Sequence, residues 1–288
     1  MNSITIHNLS KSYGDTQAVQ HLSLEVEKGE LFGLIGPDGA GKTTVFRMLT
    51  TLLLPDEGTA TIEGWDIVKD YKEIRKHVGY MPGRFSLYQD LTVEENLTFF
   101  ATVFGTTIAE NYDLIKDIYE QIKPFSNRRA GKLSGGMKQK LALCCALIHK
   151  PKVLLLDEPT TGVDVVSRKE FWQMLKKLKE QGISILVSTP YMDEASLCDR
   201  IALIQSGKVL STSTPEQIIA QYPTALYAIK APDLYALLQH LREDPHIDSC
   251  YPFGEYLHLT LNENTDIPIF EQQLKTTFPH LEWKAITP

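Results

Sequence analysis

Nine consecutive residues, Gly36-Pro37-Asp38-Gly39-Ala40-Gly41-Lys42-Thr43-Thr44, limit what this chain can fold into more than any other stretch. They follow an apolar run, Leu31-Phe32-Gly33-Leu34-Ile35, and precede Val45, Met48, Leu49 and Leu52 at helical spacing. Strand, glycine-rich turn and helix in that order are the context of a phosphate-binding loop. Gly36, Gly39 and Gly41 lack Cβ, so the backbone can turn successive N–H groups inward to a concave anion site. The N-terminus of the following helix adds partial positive charge. Lys42 is expected to reach the β- and γ-phosphates of a nucleotide, and the Thr43 hydroxyl to complete a Mg²⁺ shell. Pro37, Asp38, Ala40 and Thr44 fall within the same cradle.

At 288 residues, 43% of them hydrophobic, the chain can bury one sizeable core and a second small one. A net charge of −7 leaves no electrostatic footprint for nucleic acid, and no nucleic-acid partner is expected. Cys144, Cys145, Cys198 and Cys250 show neither C-x-x-C spacing nor histidines at zinc distance, so they read as reduced side chains. No signal peptide is evident, and no apolar run reaches the ~18 residues needed to cross a bilayer. A cytoplasmic chain, serving a membrane only through a partner, is expected.

Residues 4–9 and 22–26 alternate as strands of a half-buried antiparallel layer, with residues 11–14 as a turn. From about residue 85 to 150 the pattern is helical. Thr92 with Glu95 three residues on forms a capping box, and Leu141, Cys144, Cys145 and Ile148 mark one buried stripe. Residues 153–157 and 183–187 read as central strands, and residues 201–210 as a closing hairpin. An α/β domain over residues 1–220 with a helical insertion is expected. Residues 221–288 read β-α-β-β-α-β, a small ferredoxin-like accessory domain with Pro232 in the first turn of its first helix.

Val153-Leu154-Leu155-Leu156-Asp157-Glu158 is a buried strand ending in paired carboxylates. Asp157 is placed to hold Mg²⁺ and Glu158 to act as general base toward an attacking water. Leu133-Ser134-Gly135-Gly136-Met137-Lys138-Gln139 opens a helix with a serine and two glycines, a second anion site. Together these stretches resemble the ATP-binding cassette (ABC) transporter ATPase family over about residues 2–220. The resemblance implies a P-loop NTPase with a RecA-like core, an antiparallel β layer and a helical subdomain. It implies ATP and Mg²⁺ as ligands, and two cassettes clamping two ATP molecules head to tail. Tyr13 would then stack on adenine, and Ser134, Gly135 and Gly136 would meet the ATP held by the partner chain. Asp164 matches the loop coupling the two sites. The stretch around Phe85, Leu87, Tyr88 and Asp90 resembles the groove for a transmembrane subunit's coupling helix. A single cassette with a short extra domain is similar to bacterial drug or polyketide-antibiotic exporters.

Three positions depart from that family pattern. Met137 stands where the signature usually has glutamine. Gly83 replaces a glutamine that contacts Mg²⁺ and the attacking water, and Pro190 replaces a switch histidine. Proline offers no side-chain donor and no backbone N–H. Both of the last two losses fall on the site built on this chain's own P-loop, so binding is expected to persist and hydrolysis to weaken. That favours pairing with a second, different ATPase chain, a homodimer being the rival arrangement. The resemblance implies a cytoplasmic chain peripheral on the inner face of the cell membrane, beside transmembrane permease subunits. A nearly inactive regulatory half, or a soluble ABC-type ATPase, are the other readings.

Overall fold

The computed structural model describes residues 1–83, 87–221, 224–263 and 265–286. The N-terminal alternation forms a hairpin of β1 (Asn2–Tyr13) and β2 (Thr16–Glu27). Pairing runs on to Tyr13 and Thr16, so residues 11–13 are strand and the expected turn shrinks to Gly14-Asp15. The extension is held by Asp56, which accepts from Lys11 Nζ at 2.6 Å and from the Ser12 N–H at 2.8 Å. Next come β3 (Leu31–Ile35), α1 (Lys42–Leu49), β4 (Glu57–Ile62) and β5 (Trp65–Asp66). β2, β1, β4 and β5 make a four-stranded antiparallel sheet in that order.

α2 (Tyr71–His77) leads into β6 (Val78–Met81), and the helical stretch holds α3 (Val93–Val103), α4 (Tyr112–Ile122) and α5 (Gly135–Leu147). The capping box forms as expected: Thr92 Oγ1 accepts from the Glu95 N–H, and the Glu95 carboxylate from the Thr92 N–H. α5 departs from the expected single stripe. Every residue from Leu141 to Leu147 is buried, because α3, α4, α6 and β6 pack around it. Leu87 is buried as well, while Tyr88 and Asp90 are exposed and Phe85 lies outside the described residues.

β7 (Val153–Asp157), α6 (Val165–Glu180), β8 (Ser184–Thr189), α7 (Met192–Ala195), β9 (Arg200–Gln205) and β10 (Lys208–Ser213) complete the first unit. Its second sheet has the order β10-β9-β3-β8-β7-β6, parallel except for β10. β3, β7 and β8 are buried along their whole length, as strands covered on both faces should be. The core lies between the two sheets and α1, and contains Ile4, Leu24, Phe32, Phe46 and Leu155. Parallel pairing brings the C-terminal ends of β3, β7 and β8 to one edge, with Ile35 opposite Thr189 and Asp157 opposite Ser188. That edge is where open α/β sheets bind ligands.

Compact units divide at Pro215/Glu216 instead of 220/221, ahead of the last five residues of α8 (Pro215–Ala220). The second unit contains β11 (Leu226–Lys230), α9 (Leu234–Glu243), β12 (Ile247–Phe253), β13 (Tyr256–Leu261), α10 (Ile267–Thr277) and β14 (Glu282–Ile286). Its sheet order, β12-β13-β11-β14, is the ferredoxin-like one, and Ile229, Leu237, Leu241, Leu257, Leu259 and Phe270 form its core. Asp233 caps α9 through the Ala236 N–H, which leaves Pro232 outside the helix, not in its first turn.

Candidate nucleotide site

β3 ends at Ile35 and the chain turns through residues 36–41 into α1. Gly41, the N-cap of α1, has φ 103°, and a Cβ there would stand 2.3 Å from the Ala18 carbonyl oxygen of β2. Only glycine satisfies both constraints. The same closeness sets the β1–β2 hairpin, with a half-exposed Tyr13 at the end of β1, beside the loop. Pro37, Asp38, Gly39 and Thr43 are exposed, whereas Ala40 is buried and its carbonyl accepts from the Gly207 N–H at 2.9 Å. The first-turn N–H groups at Lys42, Thr43 and Thr44 have no intrahelical acceptor, so they are available to an anion.

Lys42 is buried to 3% exposure and donates to the carbonyls of Gly36 and Pro37 at 2.8 and 2.9 Å. Its third contact is the Glu158 carboxylate, 3.0 Å away. Glu158 follows directly on β7 with φ 50°, an αL conformation that a non-glycine residue holds only when its surroundings enforce it. Two bonds enforce it: the Glu158 N–H donates to the Ser188 carbonyl at 3.1 Å and to Ser188 Oγ at 3.0 Å. Ser188 Oγ in turn donates to Asp157 Oδ1 at 2.7 Å. One serine on β8 therefore holds the Glu158 backbone and the Asp157 carboxylate. Asp157 is 2% exposed. Burial pushes the Tyr80 hydroxyl up to about 12, and the Asp157 carboxylate adds to that. Gly83 faces the same pair: a Cβ there would lie 3.1 Å from the Asp157 carbonyl oxygen.

The serine-glycine stretch sits at the start of α5. Ser134 is exposed and caps the helix, its Oγ accepting from the Met137 N–H at 3.3 Å. Gly136 is buried, and a Cβ on it would fall 2.5 Å from Ser167 Oγ of α6. Its first reason for being glycine is thus helix packing. Gly135 lies against the Gly162 carbonyl, so the stretch adjoins the loop that ends at Asp164. Asp164 caps α6 through the Ser167 N–H at 2.9 Å, and that bond holds its carboxyl below the ordinary range.

A further cluster has no motif of its own. Glu194, 2% exposed, accepts from Thr160 Oγ1 at 2.7 Å, Thr189 Oγ1 at 2.6 Å and Arg168 Nε at 3.0 Å. Arg168 also pairs with Asp193 and lies over the Tyr191 ring at 4.3 Å. One carboxylate thereby ties the loop after β7, the first turns of α6 and the end of β8 beside Pro190. The sequence reading missed it because its partners lie 5 to 34 residues away. Asp193-Glu194 next to a β-strand end was the only available cue.

A glycine turn feeding a helix, a buried lysine and a strand-end acidic pair define a P-loop nucleotide-binding domain. The ABC transporter family model matches residues 19–161. The chain is 40% identical over 219 residues to the Nod factor export ATP-binding protein I of Burkholderia lata, covering 75% of this chain and 72% of that one. It is 38% identical to the ABC transporter ATP-binding protein NatA of Bacillus subtilis, covering 75% and 91%. A probable multidrug ABC transporter ATP-binding protein, YbhF of Escherichia coli, is 43% identical over 220 residues. That match spans 76% of this chain and only 38% of YbhF. Among solved structures, an ATP-binding subunit of an ABC transporter superposes with TM-score 0.69 at 27% identity, covering 76% and 92%. A dimeric cassette in a post-hydrolysis state with ADP and Pi gives 0.67 at 27%, covering 74% and 98%. This chain belongs to the ABC transporter family.

Proposed function

We propose that the chain binds and hydrolyses ATP to drive a membrane exporter, working at the cytoplasmic face through a transmembrane partner. The observation that carries this reading is the Lys42–Glu158 contact at 3.0 Å, which couples the phosphate-binding lysine to the base. Phosphates entering the loop compete with Glu158 for Lys42. Once displaced, the Glu158 carboxylate is free to take a proton from a water attacking the γ-phosphorus. Thr43 and Asp157 offer the hard oxygen donors that Mg²⁺ prefers, and the ion, when bound, neutralises charge between the β- and γ-phosphates. No cluster of three or more His, Cys, Asp or Glu competes for a metal among the described residues.

Partner assignment rests on two surfaces. Ser134, Gly135 and Gly136 beside the Asp164 loop form the face that a second cassette would close over its own ATP. An apolar cavity of about 450 Å³, lined in part by Leu52, Val78, Phe100, Val103 and Phe104, is suited to a short helix of a permease. None of the described helices is long and apolar enough to cross a membrane itself. The exporter assignment draws on relatives named for multidrug and Nod factor export.

Gly83 and Pro190 weaken this chain's own site, and the partner we favour is a different cassette that supplies the strong one. ATP turnover measured alone and with candidate second cassettes tests this. Low activity alone and a rise on mixing are expected; high turnover by the lone chain would favour the homodimer. Lys42→Ala should abolish nucleotide binding, and unchanged affinity would end the assignment.

A further inference from the structure

Both oxygens of the buried Glu194 carboxylate are engaged: Oε1 accepts from Thr160 Oγ1 and Arg168 Nε, and Oε2 from Thr189 Oγ1. A buried ion pair is weak grounds for stability, since well-packed apolar residues of similar volume often serve as well. What such a carboxylate does supply is direction, because each donor must lie where an oxygen lone pair points. Both threonines stand at strand ends that frame the nucleotide site. Thr189, 0% exposed, is the last residue of β8, and its carbonyl accepts from the N–H of Gly36, the first residue of the phosphate loop, at 3.3 Å. Pro190 follows with neither N–H nor side-chain donor. Thr189 Oγ1 closes this turn instead, accepting from the Tyr191 N–H at 3.1 Å while donating to Glu194. Thr160, 1% exposed, lies two residues past Glu158. Beside that anchor, the Thr161 N–H donates to the Glu158 carbonyl at 3.3 Å, while the Glu158 N–H is held by Ser188. Glu158 is thus fixed from β8 on one side and from the loop that Glu194 anchors on the other. Its φ of 50° depends on both, since a non-glycine residue persists in the left-handed region only while its surroundings over-determine it.

We propose that Glu194 is a positioning residue for ATP hydrolysis. Through Thr160 it sets where Glu158 stands, and through Thr189 it ties that position to the entrance of the phosphate loop. The inference rests on Glu158 being the base. At 2% exposure Glu194 takes no part in the proton transfer, which stays with Glu158. Its effect therefore falls on the rate of the chemical step and not on ATP binding, which Lys42 and the N–H groups of the phosphate loop supply.

Single-turnover hydrolysis at saturating ATP by the full-length chain tests the inference, with ATP affinity and melting temperature measured on each variant. Thr160→Val keeps the volume and leaves Glu194 bonded to Arg168 and Thr189. It should slow hydrolysis about tenfold or more at unchanged ATP affinity, since a misplacement of about 1 Å can cost about 100-fold. Thr160→Ser restores the hydroxyl and should restore the rate. Glu194→Asp keeps the charge beside Arg168 but falls one methylene short of spanning both threonines. It should slow hydrolysis in the same way, and the double variant with Thr160→Val should lose less than the product of the two single losses. A lowered melting temperature with the rate intact in Thr160→Val would mean a purely structural role and overturn the proposal. A rate that Thr160→Ser does not recover would overturn it too, as would ATP affinity falling in step with the rate. Should Thr160→Val fail to fold, Glu194→Asp carries the same expectation, and an unchanged rate there would sink the idea. Glu158→Gln separates the two readings. If it is inactive while Thr160→Val is unimpaired, the positioning role alone is wrong; if it is fully active, the base assignment and this inference both go.

Discussion

Exchanging Glu158 for glutamine should make nucleotide bind more tightly, because in the empty site Glu158 competes with the ligand for Lys42. The ion pair measures 3.0 Å, with Lys42 3% and Glu158 22% exposed. A charge-assisted hydrogen bond contributes about 1.5–3 kcal/mol and a neutral one about 0.5–1.5 kcal/mol. The difference, reduced for the partial exposure of Glu158, is about 1 kcal/mol. At 1.4 kcal/mol per decade, Kd should fall about three- to tenfold. Lys42 keeps its bonds to the Gly36 and Pro37 carbonyls in the variant, so its position is retained. Calorimetric titration with ADP is the cleaner assay. ADP is not hydrolysed, so tighter binding cannot be a by-product of blocked turnover. The gain should shrink as salt is raised, since the partly exposed pair is screened. Equal or weaker ADP affinity in Glu158→Gln would refute the competition.

Gly136→Ala should destabilise the fold by about 1–3 kcal/mol through overpacking against Ser167, and Ser167→Gly should recover most of it in thermal unfolding. Glu194→Ala strands Arg168, Thr160 and Thr189 together; a loss of about 3–5 kcal/mol is expected by denaturant titration, and a loss under 1 kcal/mol would deny the cluster a structural role. His149, stacked on Phe104 and bonded to the Val78 carbonyl, is held neutral by burial, its pKa lowered from 6.5 to about 4. Between those values the unfolded chain binds a proton that the folded chain refuses, so stability falls as pH drops from 6.5 to 4. With its partial exposure the drop is about 1–2 kcal/mol. His149→Leu should flatten that part of the pH profile, and parallel profiles would refute it.

The features legible in the sequence were those whose chemistry is local. The phosphate loop, the Thr92 capping box and the acidic pair at the end of β7 each lie within a few consecutive residues, so turn chemistry and hydrophobic period identify them. The β-α-β-β-α-β order of the last unit followed from the same signals. What stayed hidden depends on packing between distant segments. The all-round burial of α5 comes from four neighbours, which a single-helix pattern cannot announce. Leu87 and Tyr88 adjoin in the sequence and fall in one stretch resembling a groove, yet tertiary contacts bury the first and expose the second. The Lys42–Glu158 contact joins residues more than a hundred positions apart, and the orphaned oxygen of Gln139 is visible only once Pro159 has claimed the other end of its amide.

The missing side chain at Gly136 has a mechanical consequence. With Ser167 seated where a Cβ would be, and Asp164 clasping the N–H of that same Ser167, the first turns of α5 and α6 are geared to each other. Neither can tilt without carrying the other. Ser134 at the start of α5 and the 162–164 loop are thus braced through the same residue of α6.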